Sequence, residues 1–463
     1  MKVSDNVKKA YQKDTLRKHI SLYFPEISKE VSGVPIHQGS MSLSEKLVDK
    51  ESIEFVGCIA SKFKIRVQGL KENIKGKKVI VKIWTDGTEE EKITLFNGIV
   101  DSAVKQSNRT VKEITAYDEL YTRGNVEAAA WYKSLKFPIS LKDLRDSLFR
   151  FIGIEQEDQS LPNDGVMIKK QYAPNTLQAL AVIKAVCQIN GACGIINRRG
   201  KFEYRILKKM GEQSRGAYPG LLLFPGSATL PGAVQGAGSD SKTAFQYYRN
   251  TRYEEFEVRP VDKVTIRQSE DDEGVTYGDG ENNYIIQGNM FAYGLPEDVL
   301  NQIAENIYRN VSGFAYYPYT AENNGIPFVE CGLDVVTYMM IDYEAMEADG
   351  EIKYETQSFP VLNRTLTGDQ SLKDSYAARG EEYQTEFVTD LQTQIDTLKK
   401  KQPSGGVTQT DLEDYTFDKD TITDMFENFE GGGGNVNIVS VKVLPENPDS
   451  NTLYLIEGEV VVN

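Results

Sequence analysis

Two alternating segments decide the fold class: FKIRVQ, residues 63–68, and KVIVKIW, residues 78–84. Apolar side chains at Phe63, Ile65 and Val67 alternate with polar ones, and the second segment repeats the pattern. A period of two predicts strands that are buried on one face. The same reading applies to HISLYFP (19–25), ITLFNGIVDSAV (93–104) and RTVKEITAYDEL (109–120). We therefore expect about five antiparallel strands between residues 18 and 120, in a small barrel or sandwich.

The composition is that of a folded protein with several domains. The chain has 463 residues, 40% of them hydrophobic and 26% charged, and about 150 residues per domain predicts roughly three domains. No apolar run approaches the ~20 residues that span a bilayer, and the amino-terminal stretch lacks an apolar core. We expect folding in the cytosol and no stable membrane insertion. A net charge of −15 disfavours general or sequence-specific binding of nucleic acid.

Few residues can carry metal or nucleophilic chemistry. The four cysteines form no C-x-x-C pair, and the only histidines are His19 and His37. This disfavours zinc ribbons, disulfide frameworks, and most Ser-His-Asp or Cys-His sites. Phosphate-binding, zinc-protease and nucleophile-elbow motifs are also missing from the sequence. We predict no catalytic residue, no metal and no cofactor, structural roles for both histidines, and buried small hydrophobes at Cys58, Cys187, Cys193 and Cys331.

Three features leave alternatives open. The acidic loop 270–281 contains Glu270, Asp271, Asp272, Glu273, Asp279 and Glu281. A solvated loop is the favoured reading, with calcium binding or carboxylate catalysis as the alternatives. The stretch Tyr316–Tyr319 either packs or stacks on sugar rings, and packing is favoured. The apolar stretch LLLF, residues 221–224, is either a plug in the core or an anchor on a neighbouring subunit.

Helical periods interrupt the strands between residues 131 and 210. Ser140 is a candidate N-cap for a helix that ends at Gly153, and a second helix should begin after Asn175 or Thr176 and end at Gly191. A hairpin then turns at Arg199-Gly200. Residues 211–244 are rich in Gly, Pro, Ala and Ser and predict a long extended loop. Strand patterns resume at 245–372, for example in YEEFEVRP (253–260), with one helix over 296–312.

The carboxyl-terminal part predicts an oligomer. Apolar residues at Val388, Leu391, Ile395 and Leu398 follow a 3-4-3 spacing, as in a coiled coil over 373–402. Two heptads are marginal alone, so these residues should join subunits that are held together elsewhere. By local rules the a and d residues favour a dimer. An acidic and glycine-rich linker (403–435) and a β tip (436–463) follow.

Several segments resemble a known family: SMSLSEKL (40–47), SIEFVGCIASKFKIRV (52–67), LFNGIVDSAVKQSNRTVKEITAYDELY (95–121) and AAWYKSL (129–135). They resemble the amino-terminal hub domain of tail-associated proteins from long-tailed phages and prophages of Gram-positive bacteria. The stretches 140–155 and 176–207 look like its continuation, so the resemblance covers about residues 18–210. The closing LPENPDSNTLYLIEG (444–458) is similar to short endings on phage tail-tip and adhesin proteins.

The resemblance implies a mainly β (α+β) fold with two β-barrel-type hub domains and small α/β insertions. The residue patterns add a short coiled coil and a β-hairpin tail after them. With the residue patterns, the predicted division is an arm (1–17), a first hub domain (18–130), an α/β insertion (131–210), an extended loop (211–244), a second hub domain (245–372), the coiled coil (373–402), the linker (403–435) and the tip (436–463). The resemblance further implies a ring of three subunits, which sets aside the dimer that the heptads alone favour.

By the same resemblance, the chain is a non-enzymatic virion protein of the tail tip or baseplate, assembled in the bacterial host cytoplasm. It would join the tail tube to a central spike or fibre and form part of the DNA-ejection channel. The implied partners are the distal tail protein ring, the tape-measure protein, and tail fibre, spike or receptor-binding proteins. A receptor-binding protein that recognises glycans is the alternative, and a cell-wall hydrolase is less favoured.

Overall fold

The computed structural model describes residues 3–11, 16–48, 55, 57–105, 110–169, 176–207, 243–244, 248–269, 272–342, 353–382, 437–441, 452–456 and 459–461. The chain divides into two compact units, Met1–Gln392 and Thr393–Asn463. The predicted coiled-coil residues Val388, Leu391, Ile395 and Leu398 lie outside the described residues. So do nearly all of the loop 211–244, with LLLF, and the linker 403–435.

The fold is mainly β, with a large antiparallel sheet and few helices. The strands are β1 Lys18–Phe24, β2 Lys29–Ser32, β3 Ser42–Lys46, β4 Lys62–Gln68, β5 Lys78–Thr85, β6 Ile93–Lys105, β7 Val111–Tyr117, β8 Ile139–Ser140, β9 Met167–Ile168, β10 Cys193–Ile196, β11 Phe202–Arg205, β12 Thr243–Ala244, β13 Tyr248–Tyr253, β14 Lys263–Arg267, β15 Val275–Gly278, β16 Asn283–Gln287, β17 Tyr319–Asn324, β18 Val335–Asp342, β19 Lys353–Pro360, β20 Asn363–Thr367, β21 Lys373–Ala378, β22 Asn437–Val441, β23 Thr452–Ile456 and β24 Glu459–Val461. The helices are α1 Asp5–Ala10, α2 Glu119–Arg123, α3 Ala129–Ser134, α4 Leu141–Ile152, α5 Ala179–Ile189 and α6 Glu297–Val311. None of these described helices has both the length and the hydropathy needed to cross a membrane.

Eleven strands form one sheet in the first unit, in the order β13-β17-β21-β20-β3-β4-β7-β6-β5-β1-β2. Every neighbouring pair is antiparallel. The sheet contains strands from both predicted hub domains, and the two sets meet where β20 pairs with β3. β21 occupies residues 373–378, where the sequence predicts the start of the coiled coil, because this segment pairs with β20 and β17. Leu366 on β20 and nearby Leu372 pack into the core formed by β1–β7. The two sets of strands therefore share backbone hydrogen bonds and part of one core.

The alternating segments form the strands that the sequence predicts. On β4 the side chains of Phe63, Ile65 and Val67 are fully buried, and the residues between them are exposed or half-buried. β5 alternates in the same way along its length, and β1 buries its apolar residues as expected. At the turn after β5, Gly87 adopts a positive φ of 84°, the conformation for which glycine is favoured there.

Gly98 on β6 lies where the interior leaves no room for a side chain. A Cβ at this position would be 2.2 Å from the carbonyl oxygen of Tyr117 and 2.5 Å from Cζ of Phe96. We predict that Gly98→Ala lowers the free energy of unfolding by about 1–3 kcal/mol, since overpacking forces neighbouring groups to move. Gly165→Ala is the control, because no heavy atom lies within 4 Å of that Cβ. Thermal unfolding of both variants tests this, and equal melting temperatures would contradict it.

The helix α4 and the β10–β11 hairpin of the insertion form where the sequence predicts them. Ser140 Oγ accepts a hydrogen bond from the Asp143 amide at 3.0 Å, and Gly153 ends α4 with a φ of 74°, which confirms both predicted ends. The β10–β11 hairpin turns at Arg199-Gly200, where Gly200 has a φ of 81°. The turn packs on the sheet, because a Cβ on Gly200 would lie 2.7 Å from Nδ2 of Asn97.

The predicted start of α5 is wrong. The helix begins at Ala179, with Gln178 as its cap residue and no side-chain cap, so neither Asn175 nor Thr176 is the cap. Tertiary pairing explains the later start. The Leu177 amide donates to Oε1 of Glu127 at 2.7 Å, and Gln178 forms an antiparallel bridge with Glu127. These contacts hold residues 177–178 in an extended conformation.

A second small α/β unit lies between β13 and β17. β14 pairs antiparallel with β15 and parallel with β16, and α6 matches the predicted helix 296–312 to within a residue at each end. The predicted strand YEEFEVRP is wrong, because β13 ends at Tyr253. The Glu254 amide still donates to the Pro318 carbonyl at 2.9 Å. Proline has no amide proton to donate in return, so the regular ladder is interrupted there, and pairing resumes only at the bridge between Val258 and Tyr316.

The second unit contains three described strands. β22 pairs parallel with β23, and β23 pairs antiparallel with β24. The predicted β tip at 436–463 thus contains strand structure, with one parallel pair that alternation alone does not predict.

Candidate functional site: a buried arginine junction

Arg364 lies at the place where the two sets of strands meet. β20, which carries it, pairs with β3 on one side and β21 on the other, and its side chain is 1% exposed. Its Nε and Nη2 donate to the two carboxylate oxygens of Asp374 at 2.7 and 3.2 Å. Its Nη1 donates to Oε2 of Glu45 on β3 at 3.3 Å. One guanidinium thus joins three adjacent strands.

The same guanidinium holds the segment 326–331 against the sheet. Arg364 donates to the carbonyls of Val329 at 2.6 Å and Ile326 at 2.7 Å. Asp374 completes the arrangement, since its Oδ2 accepts from the Ile326 amide at 2.9 Å and from the Tyr376 hydroxyl at 2.8 Å. All charged and polar groups of this cluster are therefore paired, as burial requires.

Two further arginines reach the same segment from the insertion. Arg198, at the β10–β11 turn, donates to the Val329 carbonyl at 2.6 Å and to the Pro327 carbonyl. Arg205 on β11 donates to the Cys331 carbonyl and lies 3.6 Å from Oε1 of Glu330. Both side chains are buried. We refer to Arg198, Arg205, Arg364 and their partners as the arginine junction.

Charge pairing sets the protonation states in the junction. Burial acts to lower the pKa of the Arg364 guanidinium, but the charges of Asp374 and Glu45 outweigh it, so the pKa is raised. Burial would raise the pKa of the Glu330 carboxyl, but nearby positive charges, including Arg205 and Arg198, lower it. The shifts of Arg364 and Glu330 both favour the charged form, as expected for groups that hold a structural joint together.

The junction is not predicted from the sequence, although the sequence contains one signal for it. In the strand NRTLT, Arg364 and Leu366 fall on the same face and both are buried, so alternation places an arginine inside. An inward arginine predicts a buried acidic partner. The partner itself could not be found, because Glu45 and Asp374 lie 319 and 10 residues away along the chain.

A second buried ion pair supports the insertion. Arg145 on α4 donates through Nε and Nη2 to both oxygens of Asp164, at 2.8 and 2.9 Å. Its other bonds go to the Gln159 carbonyl and to Oε1 of Gln156. A groove runs between α4 and residues 153–159, but every nitrogen of Arg145 is already bound to the protein. This pair therefore fixes the loop that follows α4.

The tyrosine cluster divides into buried and exposed members. Tyr316 is buried and donates to the Arg379 carbonyl, and Tyr319 is buried and donates to the Pro360 carbonyl at 3.0 Å. For these two the predicted packing role is confirmed. Tyr317 is half-buried and lies edge-on to Tyr253, with ring centroids 6.3 Å apart. Tyr253 is 48% exposed, so an aromatic surface remains at the edge strand β13.

The acidic loop behaves as a turn at its described residues. Asp272 Oδ2 accepts from the Gln268 amide at 2.8 Å, and its Oδ1 accepts from the Gly274 amide at 3.0 Å. Glu273, Asp279 and Glu281 are exposed, whereas Glu270 and Asp271 lie outside the described residues. Within the part of the chain that the structure describes, no cluster of His, Cys, Asp and Glu could hold a metal.

The histidines and cysteines take structural positions. His19 is hydrogen-bonded to Asp86 at 2.6 Å and stacks on Trp84, and the His37 amide donates to the Arg66 carbonyl at 2.9 Å. All four cysteines are buried free thiols, with the Sγ atoms of Cys58 and Cys187 3.5 Å apart. Burial raises the pKa of Cys193 to about 12, so its thiol is a poor nucleophile at neutral pH.

No protein-family model matches the chain, and no curated protein matches it. Among solved structures, it is similar to the 43 kDa tail protein of prophage MuSo2 from Shewanella oneidensis, with 12% identity, 78% of this chain and 97% of that chain covered, and a TM-score of 0.43. A tail protein from Neisseria meningitidis MC58 has 12% identity, coverage of 79% and 97%, and a TM-score of 0.43. Prophage tail protein gp18 from Listeria monocytogenes EGD-e has 9% identity, coverage of 82% and 99%, and a TM-score of 0.44. At these TM-scores the similarities support no conclusion about the role of this chain.

Proposed function

We propose that this chain is a non-enzymatic structural protein of a phage tail tip or baseplate. It forms a trimeric hub that joins the tail tube to a central spike or fibre and contributes to the DNA-ejection channel. The sequence resemblance over about residues 18–210 is the starting point for this proposal. The observation that carries it is the eleven-stranded sheet, which runs through both predicted hub regions and is fastened by the arginine junction.

This architecture suits a part that transmits force and holds neighbours in place. Backbone hydrogen bonds between β3 and β20 tie sequence-distant strands together, and the buried ion pairs of Arg364 fix their mutual geometry. Buried, fully paired charges tolerate little displacement, because moving one partner leaves the other unpaired at low dielectric. A hub built this way keeps its shape while other tail components attach to it.

The proposed partners are those that the resemblance implies: the distal tail protein ring, the tape-measure protein, and fibre, spike or receptor-binding proteins. The net charge of −15 suits a channel wall past which DNA slides without being held, because phosphate repels acidic surfaces. The location that follows is the virion tail tip, assembled in the host cytoplasm. The predicted zipper residues Val388, Leu391, Ile395 and Leu398 would carry the three-fold axis towards the tip.

The mass of the full-length particle in solution tests the trimer. We expect native mass spectrometry and sedimentation to give three times the 51.9 kDa chain mass at micromolar concentration, with dissociation only on dilution. The variant Leu391→Asp with Leu398→Asp, in the predicted zipper, should weaken the particle, because charge at d positions opposes helix pairing. A chain that stays monomeric at every concentration would contradict the proposed hub.

Glycan binding by a receptor-binding protein is the second candidate function. The exposed Tyr253 beside half-buried Tyr317 favours it, because aromatic faces stack on sugar rings. A glycan array distinguishes the two functions. The hub is expected to show no saturable sugar affinity, whereas saturable binding that is lost in Tyr253→Ala would favour the receptor-binding protein.

A further inference from the structure

A lysine-rich surface lies at one end of the strands β4–β7. Lys71, Lys75 and Lys77 belong to the β4–β5 loop, Lys105 ends β6, and Lys112 is the second residue of β7. Lys71, Lys75 and Lys105 are exposed and Lys77 is half-buried. Lys112 is buried beneath them, with its Nζ donating to the Glu72 carbonyl at 2.6 Å. Backbone hydrogen bonds hold the β4–β5 loop against the β6–β7 hairpin. They run from the Gly69 amide to the Thr110 carbonyl at 2.9 Å and from the Gly76 amide to the Val100 carbonyl at 2.7 Å. We call these five lysines the basic patch.

The basic patch brings like charges together. Lys105 and Lys112 are directly opposite each other across the β6–β7 ladder, an arrangement that is locally destabilising. Burial and the neighbouring Lys105 lower the pKa of Lys112. The nearby Glu72 carboxylate is already paired with Lys29 at 3.1 Å. A patch of this kind on a chain of net charge −15 is stabilised when an acidic surface docks on it.

An acidic surface lies beside the edge strand β13 of the same sheet. Glu254, Glu255 and Glu257 follow the edge strand β13 and are all exposed. Glu382 comes close to them, because it binds Arg259 at 2.8 Å, and Glu381 beside it is exposed. Among the described residues, Glu254, Glu255, Glu257 and Glu381 have no basic partner. We call the five glutamates the acidic edge.

The sheet order separates the two surfaces within one chain. β13, next to the acidic edge, is the first strand in the order, whereas β7 and β6 of the basic patch are the seventh and eighth. No ion pair joins the two surfaces in the described part of the chain. Contact between two identical patches would bring like charges together. A head-to-tail contact pairs opposite charges and closes into a ring when the rotation allows it.

We propose that the basic patch of one copy docks on the acidic edge of the next copy, so that each subunit of the ring contributes both halves of the interface. This inference rests on the proposed trimeric hub. The exposed Tyr253 beside the acidic edge supplies apolar area that such an interface would bury. Because charge pairs at an interface act strongly on encounter and partner choice, the assembly should weaken as salt rises.

A charge swap in the full-length chain tests the proposal. The basic variant carries Lys71→Glu, Lys75→Glu and Lys77→Glu, and the acidic variant carries Glu254→Lys, Glu255→Lys and Glu257→Lys. Each variant alone should lower the association constant for trimer formation at least about tenfold, because like charges then face each other. The chain that carries all six substitutions should recover most of the loss. Sedimentation over a dilution series at two salt concentrations measures each constant.

The control replaces Arg123, Lys133 and Lys136, which are exposed and lie outside both surfaces, with glutamate. It changes net charge as much as the basic variant and should leave the trimer intact. If the wild-type chain forms a trimer that neither charge reversal weakens, this inference is overturned and the proposed hub is not. The same holds if the chain with all six substitutions fails to recover trimer formation. A wild-type chain that never trimerises would overturn the hub and the inference together.

Discussion

Arg364→Ala is expected to lower the free energy of unfolding by about 3–5 kcal/mol, the range typical of breaking a buried ion pair by removing one partner. The substitution leaves Asp374 and Glu45 buried without their cation, and the carbonyls of Val329 and Ile326 without their donor. The expected fall in melting temperature is about 5–15 °C. Differential scanning calorimetry on the full chain, with circular dichroism as a second probe, measures it.

An exposed ion pair provides the matched control. Arg66 on β4 pairs with Glu113 at 3.1 Å, and both side chains are substantially exposed. Arg66→Ala should therefore lower the free energy of unfolding by only about 0–1 kcal/mol. Arg364→Lys keeps the charge but cannot form the two-pronged contact with Asp374, so its melting temperature should fall between those of wild type and Arg364→Ala. Equal stability of Arg364→Ala and Arg66→Ala would show that the junction does not fasten the sheet.

Asp118→Asn is expected to change how stability depends on pH. Asp118 precedes α2 and is buried, with its Oδ2 accepting from the Ser61 amide at 2.6 Å and its Oδ1 from the Leu120 amide at 3.0 Å. Burial raises the pKa of its carboxyl to about 7, although both hydrogen bonds act to lower it. The folded protein therefore binds this proton more tightly than the unfolded chain does.

The sign of the effect follows from this shift. The stabilising contribution of protonated Asp118 is complete below about pH 4 and is lost as pH rises through about 7. Asparagine keeps an oxygen acceptor for the Leu120 amide and cannot ionise. Relative to wild type, the free energy of unfolding of Asp118→Asn should therefore rise by about 3–4 kcal/mol between pH 4 and pH 8. A loss that does not depend on pH is added to this, because the side-chain amide group of asparagine faces the Ser61 amide.

Urea unfolding of both proteins at a series of pH values measures this difference. Asp101→Asn, at an exposed position on β6, is the control, and its curve should run parallel to that of wild type. A constant gap between Asp118→Asn and wild type over the whole range would mean that Asp118 is already ionised at pH 4.

Prediction from sequence succeeded where structure depends on neighbouring residues. β1, β4 and β5 follow from alternation, and α4 follows from its spacing together with Ser140 and Gly153 at its ends. It failed where a distant contact overrode the local pattern. Pairing with Glu127 delays the start of α5. Pro318 interrupts the ladder between Tyr253 and Val258, so YEEFEVRP does not form a continuous strand.

The arginine junction was beyond sequence reasoning for the same reason. Alternation places Arg364 inside, but nothing local identifies Glu45 or the segment 326–331 as its partners. Backbone registers such as β20 with β3 bring these residues together, and register depends on the packing of whole faces. The acidic edge likewise combines residues 254–257 with 381–382, which tertiary contacts such as the Arg259–Glu382 ion pair and backbone hydrogen bond bring together.

The sequence by itself determined the β character of the chain, its main helices and turns, and its acidic charge, because period, capping and composition are local or additive properties. The tertiary structure alone decided that both sets of strands belong to one sheet and that three arginines meet at its joint. Such pairings are set by the free energy of burying complementary faces and charges, which involves residues that lie hundreds of positions apart.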